Sequence, residues 1–80
     1  MKEITIQYYA VLRERRGLSK EKIRTKAVTA KDLYWDLDKK YHFAMAQDIL
    51  RVAVNNEFAD WDTKIKNGDE ILFIPPVAGG

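Results

Sequence analysis

The strongest constraint on the fold lies at residues 71–76, where an unbroken apolar run meets two prolines. A strand that is apolar on both faces is typical of the centre of a sheet. Proline fixes φ and has no N–H, so this strand must end at Ile74, before Pro75 and Pro76. We therefore predict that the last six residues leave the domain as an extended tail, with a reach of roughly 20 Å.

The predicted tail ends in two residues without side chains, Gly79 and Gly80. Glycine has the widest backbone freedom, and a segment without Cβ atoms can enter a slot that is too narrow for any side chain. The chemical group at its tip is the Gly80 carboxylate. The alternative is a frayed terminus, since chain ends are commonly disordered. The two prolines directly after an apolar strand argue against that alternative.

The composition is that of one small globular domain, residues 1–80, with 75–80 as its tail. A hydrophobic content of 46% and a charged content of 32% fit a folded chain. The chain has no cysteine and one histidine, His42, which excludes disulfides, thiolate metal sites and a cysteine nucleophile, and leaves no metal site. No apolar stretch approaches the ~20 residues of a membrane span, and no signal peptide is visible, so the cytoplasm is expected.

Seven basic residues lie close together, although the net charge is only +2: Arg13, Arg15, Arg16, Lys20, Lys22, Arg24 and Lys26. Such a cluster could bind phosphates. It could equally be the solvated face of a short helix and an edge strand, where lysines deter pairing with other chains. No aromatic residue lies within the cluster to stack on a base, so a nucleic-acid partner is not expected.

The N-terminal third predicts a strand, a short helical turn and a second strand. Residues 2–9 alternate strictly and place three side chains on one face: Ile4, Ile6 and Tyr8. Residues 10–16 favour a helical turn that ends at Gly17. Residues 20–26 have one large apolar side chain and predict a weak strand at an edge of the sheet.

The main helix is predicted over residues 30–40. Thr29 and Asp32 have the spacing of a capping box. Leu33 and Leu37 then recur on one helical face, which indicates a single buried side.

The segment after the helix, residues 41–50, is predicted to be irregular. Four of its side chains are expected to fill the core: Phe43, Met45, Ile49 and Leu50. Trp35 points away from the buried face of the helix, and we expect it to cover this segment. His42 is expected at the surface.

Three further strands are predicted at residues 51–54, 57–59 and 70–74. Asn55-Asn56 tolerates positive φ at both positions and predicts a two-residue hairpin between the first two. Asn67-Gly68-Asp69 indicates a turn before the last strand.

A single main helix can cover only one face of the resulting five-stranded sheet. We expect strands 2–9 and 70–74 to be adjacent, parallel and central, because the crossover through the helix follows the right-handed rule. Alternation places Ile71 and Phe73 on one face of this strand, and Leu72 and Ile74 on the other. The uncovered face should then present an apolar patch beside the tail, as partner sites often do.

These segments together resemble the ubiquitin-like β-grasp fold, and within it the MoaD family, the small sulfur-carrying subunits of molybdopterin synthase. The resemblance implies an α+β fold in which a mixed five-stranded sheet carries one main helix on one face and a flexible C-terminal tail. Ala78 stands where ubiquitin has arginine. The matching segments are Ala10-Val11-Leu12-Arg13-Glu14, Val52-Ala53-Val54-Asn55, Gly68-Asp69-Glu70 and Phe73-Ile74-Pro75-Pro76-Val77-Ala78-Gly79-Gly80.

The resemblance implies a carrier that is not an enzyme on its own. An E1-like activating enzyme would use MgATP to adenylate Gly80, and a sulfur donor would convert the adenylate into a thiocarboxylate. The thiocarboxylate would donate sulfur to cyclic pyranopterin monophosphate in molybdenum cofactor biosynthesis. This chain would bind no cofactor or metal itself. Its main partner would be the large catalytic subunit, in an assembly of two small and two large subunits.

The resemblance also implies which residues act. Gly80 and Gly79 would form the acyl site, and the partner surface would contain Tyr9, Phe58, Ile74, Pro75, Pro76, Val77 and Ala78. Because the family's partner contact maps to Ile74, the resemblance also assigns Ile71 and Phe73 to the helix side of the sheet, and Leu72 and Ile74 to the other. For Phe58 and Ile74 the alternative is an ordinary core position. Other functions on the same fold also remain: a carrier for thiamine synthesis or tRNA thiolation, a modifier conjugated to lysines, or an interaction module without chemistry.

Overall fold

The computed structural model describes residues 1–76. It confirms the predicted order of strands and helices, and no predicted boundary differs from the observed one by more than one residue. The predictions for Val77, Ala78, Gly79 and Gly80 lie outside the described residues. The elements are β1 (Lys2–Tyr8), α1 (Ala10–Arg16), β2 (Lys20–Thr25), α2 (Ala30–Tyr41), a 3-10 helix (Gln47–Ile49), β3 (Arg51–Val54), β4 (Glu57–Ala59) and β5 (Glu70–Ile74).

The five strands form one mixed sheet in the order β2-β1-β5-β3-β4. β1 and β5 are parallel neighbours, with Thr5 opposite Glu70 and Tyr8 opposite Phe73. The other three pairings are antiparallel. The predicted central parallel pair is therefore confirmed, and the weak strand β2 lies at an edge as expected.

The core fills the space between the sheet and α2. Ile71 and Phe73 are fully buried on this side, whereas Leu72 and Ile74 are half-buried on the other. The Phe73 ring lies 5.3 Å from Tyr34 on α2 and 5.9 Å from Trp61, measured between ring centroids. The assignment of alternate β5 side chains to the two faces is confirmed.

Helix α2 has the predicted capping box. The Thr29 hydroxyl accepts from the Asp32 N–H at 3.2 Å, and the Asp32 carboxylate accepts from the Thr29 N–H at 3.2 Å. Two N–H groups that the first helical turn leaves unpaired are thus satisfied. The helix ends at Tyr41 and is capped by His42, which has a left-handed backbone (φ 54°) and whose N–H donates to the Asp38 carbonyl at 2.8 Å. His42 is exposed, as predicted.

The prediction that Trp35 covers the loop after α2 is wrong, because its side chain is 60% exposed. One helical step of about 100° separates it from the buried Tyr34. The Tyr34 hydroxyl donates to the Met45 carbonyl at 2.7 Å. The loop is thereby drawn to the buried side of the helix, away from Trp35.

Two of the four core predictions in residues 41–50 are confirmed outright, since Phe43 and Leu50 are buried. Met45 packs against the core while partly exposed. Ile49 is wrong, with 52% of its side chain exposed. It closes a 3-10 turn that the sequence did not predict, and the adjacent Leu50 occupies the core position instead.

The Asn55-Asn56 hairpin is confirmed, with φ values of 53° and 71°. The Asn55 side chain also accepts from the Glu70 N–H at 2.9 Å and donates to the Asp69 carboxylate at 3.0 Å. These bonds fix the start of β5 against the β3–β4 hairpin. The position of β5 in turn determines where the tail leaves the domain.

A charged network joins α1, β1 and β2. Glu21 accepts from the Arg16 guanidinium through both oxygens at 2.8 Å and from the Tyr8 hydroxyl at 2.7 Å. The hydrogen bonds from Arg16 hold the pKa of Glu21 below its ordinary value. Burial, followed by the bond to Glu21, raises the pKa of Tyr8. Arg16, one of the seven residues of the basic cluster, therefore has a structural role.

We expect Glu21→Gln to lower the free energy of unfolding by about 1–3 kcal/mol at neutral pH, since it removes hydrogen bonds between charged groups. The folded pKa of Glu21 is lowered, so its contribution is present above the ordinary value of 4.5 and is lost as the pH falls through the folded pKa. Urea unfolding of both proteins at neutral and acidic pH should show a difference that shrinks in acid. Glu14→Gln on the exposed side of α1 is the control. A difference that grew in acid would contradict the assignment.

Candidate partner-binding face and tail exit

The sheet face away from α2 carries a row of apolar side chains. Ala53 on β3 pairs with Leu72 on β5 and with Phe58 on β4, and paired residues point to the same side. Val52 and Phe73, their neighbours along the strands, point into the core. The row therefore faces outward, where the sequence predicted an apolar patch.

The most exposed apolar side chain of this patch is that of Phe58 on the edge strand β4, which is 69% exposed. The interpretation of Phe58 as a core residue is therefore wrong. Ile74 is half-buried at the edge of the patch. A shallow depression of about 160 Å³ lies between them and is lined by Ala53, Asn56, Phe58, Leu72 and Ile74. We call these five residues the open-face patch.

The chain leaves the sheet at the border of the open-face patch. Ile74 belongs to the patch, Pro75 is buried and Pro76 is exposed. Tyr8 on β1 is paired with Phe73 on β5, and both side chains point into the core. The next residues along the two parallel strands are Tyr9 and Ile74, and Tyr9 keeps an extended backbone. Its 37% exposed side chain therefore lies on the same face, at the same end of the sheet. Four of the predicted partner residues are thus brought together with Phe58.

Arg51 belongs to this surface, and the sequence analysis missed it. It pairs with Ile74 across β3 and β5, and its guanidinium carbon lies 5.7 Å from the centre of the Phe58 ring. A cation at this distance attracts the ring face and makes the border of the patch positive. Strand alternation from the buried Val52 could have placed Arg51 on the open face.

The part of the chain up to Pro76 has no cluster of side chains that could hold a metal ion. Its helices are too short and too polar for any of them to cross a membrane. The predicted acyl-site residues Gly79 and Gly80, with Val77 and Ala78, lie outside the described residues, so the described part of the candidate site is the open-face patch and the segment Ile74-Pro75-Pro76 beside it.

Residues 6–80 match the ThiS family. The chain is 31% identical over 80 residues to the molybdopterin synthase sulfur carrier subunit of Haemophilus influenzae, a match that covers 96% of this chain and 99% of that protein. Both similarities extend over nearly the whole domain, and the first reaches the terminal glycines.

Solved structures share the fold. In the Helicobacter pylori complex of subunits 1 and 2 of the molybdopterin-converting factor, one chain is 25% identical with a TM-score of 0.68, over 98% of this chain and 99% of that one. Small archaeal modifier protein 1 of Methanosarcina acetivorans is 24% identical with a TM-score of 0.79, over 100% and 98%. The predicted ubiquitin-like β-grasp fold is confirmed, and the chain belongs to the ThiS family.

Proposed function

We propose that this chain is the sulfur-carrier subunit of a molybdopterin synthase and that the Gly80 carboxylate holds the transferred sulfur. The observation that carries the proposal is the 31% identity to a subunit with that role, along 99% of its length. The chain has no cysteine, so a thiocarboxylate at Gly80 is the group that could hold transferable sulfur.

A carboxylate is resonance-stabilised and must be activated before sulfur can replace an oxygen. An E1-like enzyme would join the Gly80 carboxylate to the α-phosphate of MgATP and release pyrophosphate. A sulfide-level donor then attacks the acyl carbon, the C–O bond to AMP breaks, and AMP leaves with the electron pair. The product is the Gly80 thiocarboxylate. This chain binds no cofactor in the reaction, because the activating enzyme holds the MgATP.

The thiocarboxylate sulfur is the nucleophile of the second stage. It attacks an electrophilic carbon of the pterin precursor, cyclic pyranopterin monophosphate, and forms a thioester-like link to Gly80. Water then attacks the Gly80 carbonyl, the C–S bond to the carrier breaks, and the sulfur stays on the pterin. Two sulfurs require two rounds. The large subunit supplies the catalytic side chains, so this chain is not an enzyme on its own. The reaction takes place in the cytoplasm.

The open-face patch supports a docking role in this scheme. An exposed aromatic side chain beside a charged guanidinium is the composition favoured at the centres of protein interfaces. Docking through the patch would hold Ile74 and Pro75 in place. The tail would then begin at a fixed position and extend from there into the pocket of the large subunit. We propose an assembly of two small and two large subunits. The complex of subunits 1 and 2 from Helicobacter pylori supports a pairing of this kind.

A protein modifier is the second candidate, favoured by the shared fold with the archaeal modifier. The untagged chain, purified from its own cells, separates the two candidates. A carrier should co-purify with a stoichiometric large subunit, without added covalent mass. A ladder of lysine-linked conjugates and no large subunit would contradict the carrier proposal.

We expect Ile74→Asp to weaken binding to the large subunit by about 30-fold or more, because the complex would bury an unpaired carboxylate in an apolar contact. Ile74 is only half-buried on the open face, so the fold should remain. Isothermal titration and thermal unfolding measure the two effects. Trp35→Ala removes an exposed aromatic on the opposite side and should leave affinity unchanged. Unfolding by Ile74→Asp would mean that the two faces of β5 are reversed.

A further inference from the structure

Strand β2 presents an unpaired edge of the sheet. Among residues 1–76 it pairs with β1 alone, and the Tyr8 N–H donates to the Ser19 carbonyl at 2.8 Å at the start of that pairing. Hydrogen-bonded pairs alternate along an antiparallel ladder. The register then points the peptide groups of Lys20, Lys22 and Arg24 outward, away from β1.

A groove runs beside this edge, between β2 and α2. Its volume is about 270 Å³. Its apolar lining combines Ile23 of the strand with Leu33, Leu37 and Tyr41 of the helix. Ile23 and Tyr41 are partly exposed there while they pack on the core. A further strand added to β2 would place every second side chain over this lining.

The groove and edge are positively charged. Arg24, Lys26 and Lys40 line the groove together with one acidic residue, Asp36. The side chains of Lys20, Lys22 and Arg24 alternate with Ile23 and extend the charge along the open-face side of the strand, where they pair with Gln7, Thr5 and Glu3. Lys20 also forms an exposed ion pair with Glu70 at 3.5 Å, so Lys22 is the cation of the three with no acidic residue facing it among residues 1–76. Residues opposite these cations in an added strand would lie within reach of cross-strand ion pairs.

We propose that the β2–α2 groove binds an extended peptide segment of a partner protein, in which apolar residues alternate with Asp or Glu. The peptide adds a sixth strand at the edge of β2, as in strand addition by other domains. Its apolar side chains pack on Ile23 and the helix, and its carboxylates face Lys20, Lys22 and Arg24. This site lies at the opposite edge of the sheet from β4 and is independent of the proposed sulfur chemistry.

The charge pattern also disfavours a second copy of this chain in the groove. Two β2 edges would bring lysine and arginine side chains opposite one another, and like charges in that position are destabilising. The same cations that prevent self-pairing therefore select an acidic strand.

The test titrates the isolated, ¹⁵N-labelled chain with a capped peptide of about seven residues that alternates Val with Asp. We expect shifts and slowed hydrogen exchange at the amides of Lys20, Lys22 and Arg24. A peptide that alternates Val with Lys should bind about tenfold more weakly or worse, because three cross-strand ion pairs are reversed. A scrambled peptide of the original composition should also bind weakly, since its apolar and acidic residues no longer face opposite sides.

Lys22→Pro removes an outward N–H that β1 does not use, and proline is tolerated at such edge positions. We expect it to abolish peptide binding, whereas Lys22→Ala, which keeps the N–H, should weaken binding by only a few-fold. If Lys22→Pro fails to fold, exchange protection of the Lys22 amide in the unmodified chain decides the question.

Three outcomes would overturn the proposal. The scrambled peptide could bind as well as the alternating one, which would indicate a charged patch alone. The shifts could fall on the open-face patch instead of β2. Sedimentation could reveal self-association through β2 without peptide, which would assign the edge to a second copy of this chain.

Discussion

Deletion of Gly79 and Gly80 is expected to abolish sulfur transfer to the pterin while leaving the domain folded. The deletion removes the proposed acyl carbon together with the residue that lets the tail pass a narrow channel. The described core residues precede it in the chain, so the free energy of unfolding should change by no more than about 0.5 kcal/mol. Pterin dithiolene formation in a reconstituted synthase, together with thermal unfolding, measures the two effects.

Extension of the chain by one residue is the matched variant, because it keeps both glycines. It moves the terminal carbonyl by roughly 3.5 Å, and errors of about 1 Å in position can cost on the order of 10²-fold in rate. A bulky residue in place of Gly79 should act similarly. An extended chain that resists proteolysis and still supports the reaction would contradict the mechanism. Unfolding on deletion would mean that the glycines are structural.

Phe73→Ala should lower the free energy of unfolding by about 3–5 kcal/mol, the range for loss of a buried aromatic side chain. Phe73 is fully buried and contacts the rings of both Tyr34 and Trp61. Small domains have total stabilities near the lower end of about 5–15 kcal/mol, so most of the free energy of unfolding would be lost. Chemical denaturation at neutral pH measures the change.

Leu72→Ala is the control for Phe73→Ala, since it truncates the adjacent residue on the open face. Its side chain is half-exposed, and we expect a loss of about 1 kcal/mol or less. If Leu72→Ala proved the more destabilising of the two, the core would lie on the other side of the sheet.

The parts of the fold predicted correctly are those in which local signals and burial agree. β5 is apolar without interruption and is bounded by the Asn67-Gly68-Asp69 turn and two prolines, which specified both its limits and its central place. The Thr29–Asp32 capping box marked the start of α2 because both hydrogen bonds are local.

The errors fall in the loop after α2, where tertiary contacts decide. The hydrogen bond from Tyr34 to the Met45 carbonyl sets the path of this loop, and no local pattern encodes it. Trp35 and Ile49 are large and apolar, and both were therefore predicted to be covered by the protein. Trp35 does not cover the loop, and Ile49 does not enter the core.

The residues of the candidate site that follow from local patterns or from the family resemblance were predicted, and those that depend on tertiary contacts were not. Alternation along β5 separated Ile74 from Phe73, and the family resemblance placed Ile74 on the open face and supplied Phe58 and Tyr9. Alternation along β3 could have placed Arg51 on the open face, but its proximity to Ile74 and Phe58 depends on strand pairings that are not encoded locally. The β2–α2 groove likewise depends on the packing of a strand against a helix that follows it in the chain.

The central claim is that Gly80 carries sulfur, and the mass of the chain tests it most directly. The purified chain is incubated with its activating enzyme, MgATP and a sulfur source, and its intact mass is measured with fragmentation of the C-terminus. We predict a gain equal to the mass difference between sulfur and oxygen, located at Gly80 and dependent on ATP. An unchanged mass in the presence of an active activating enzyme, or sulfur located at any other residue, would contradict the account.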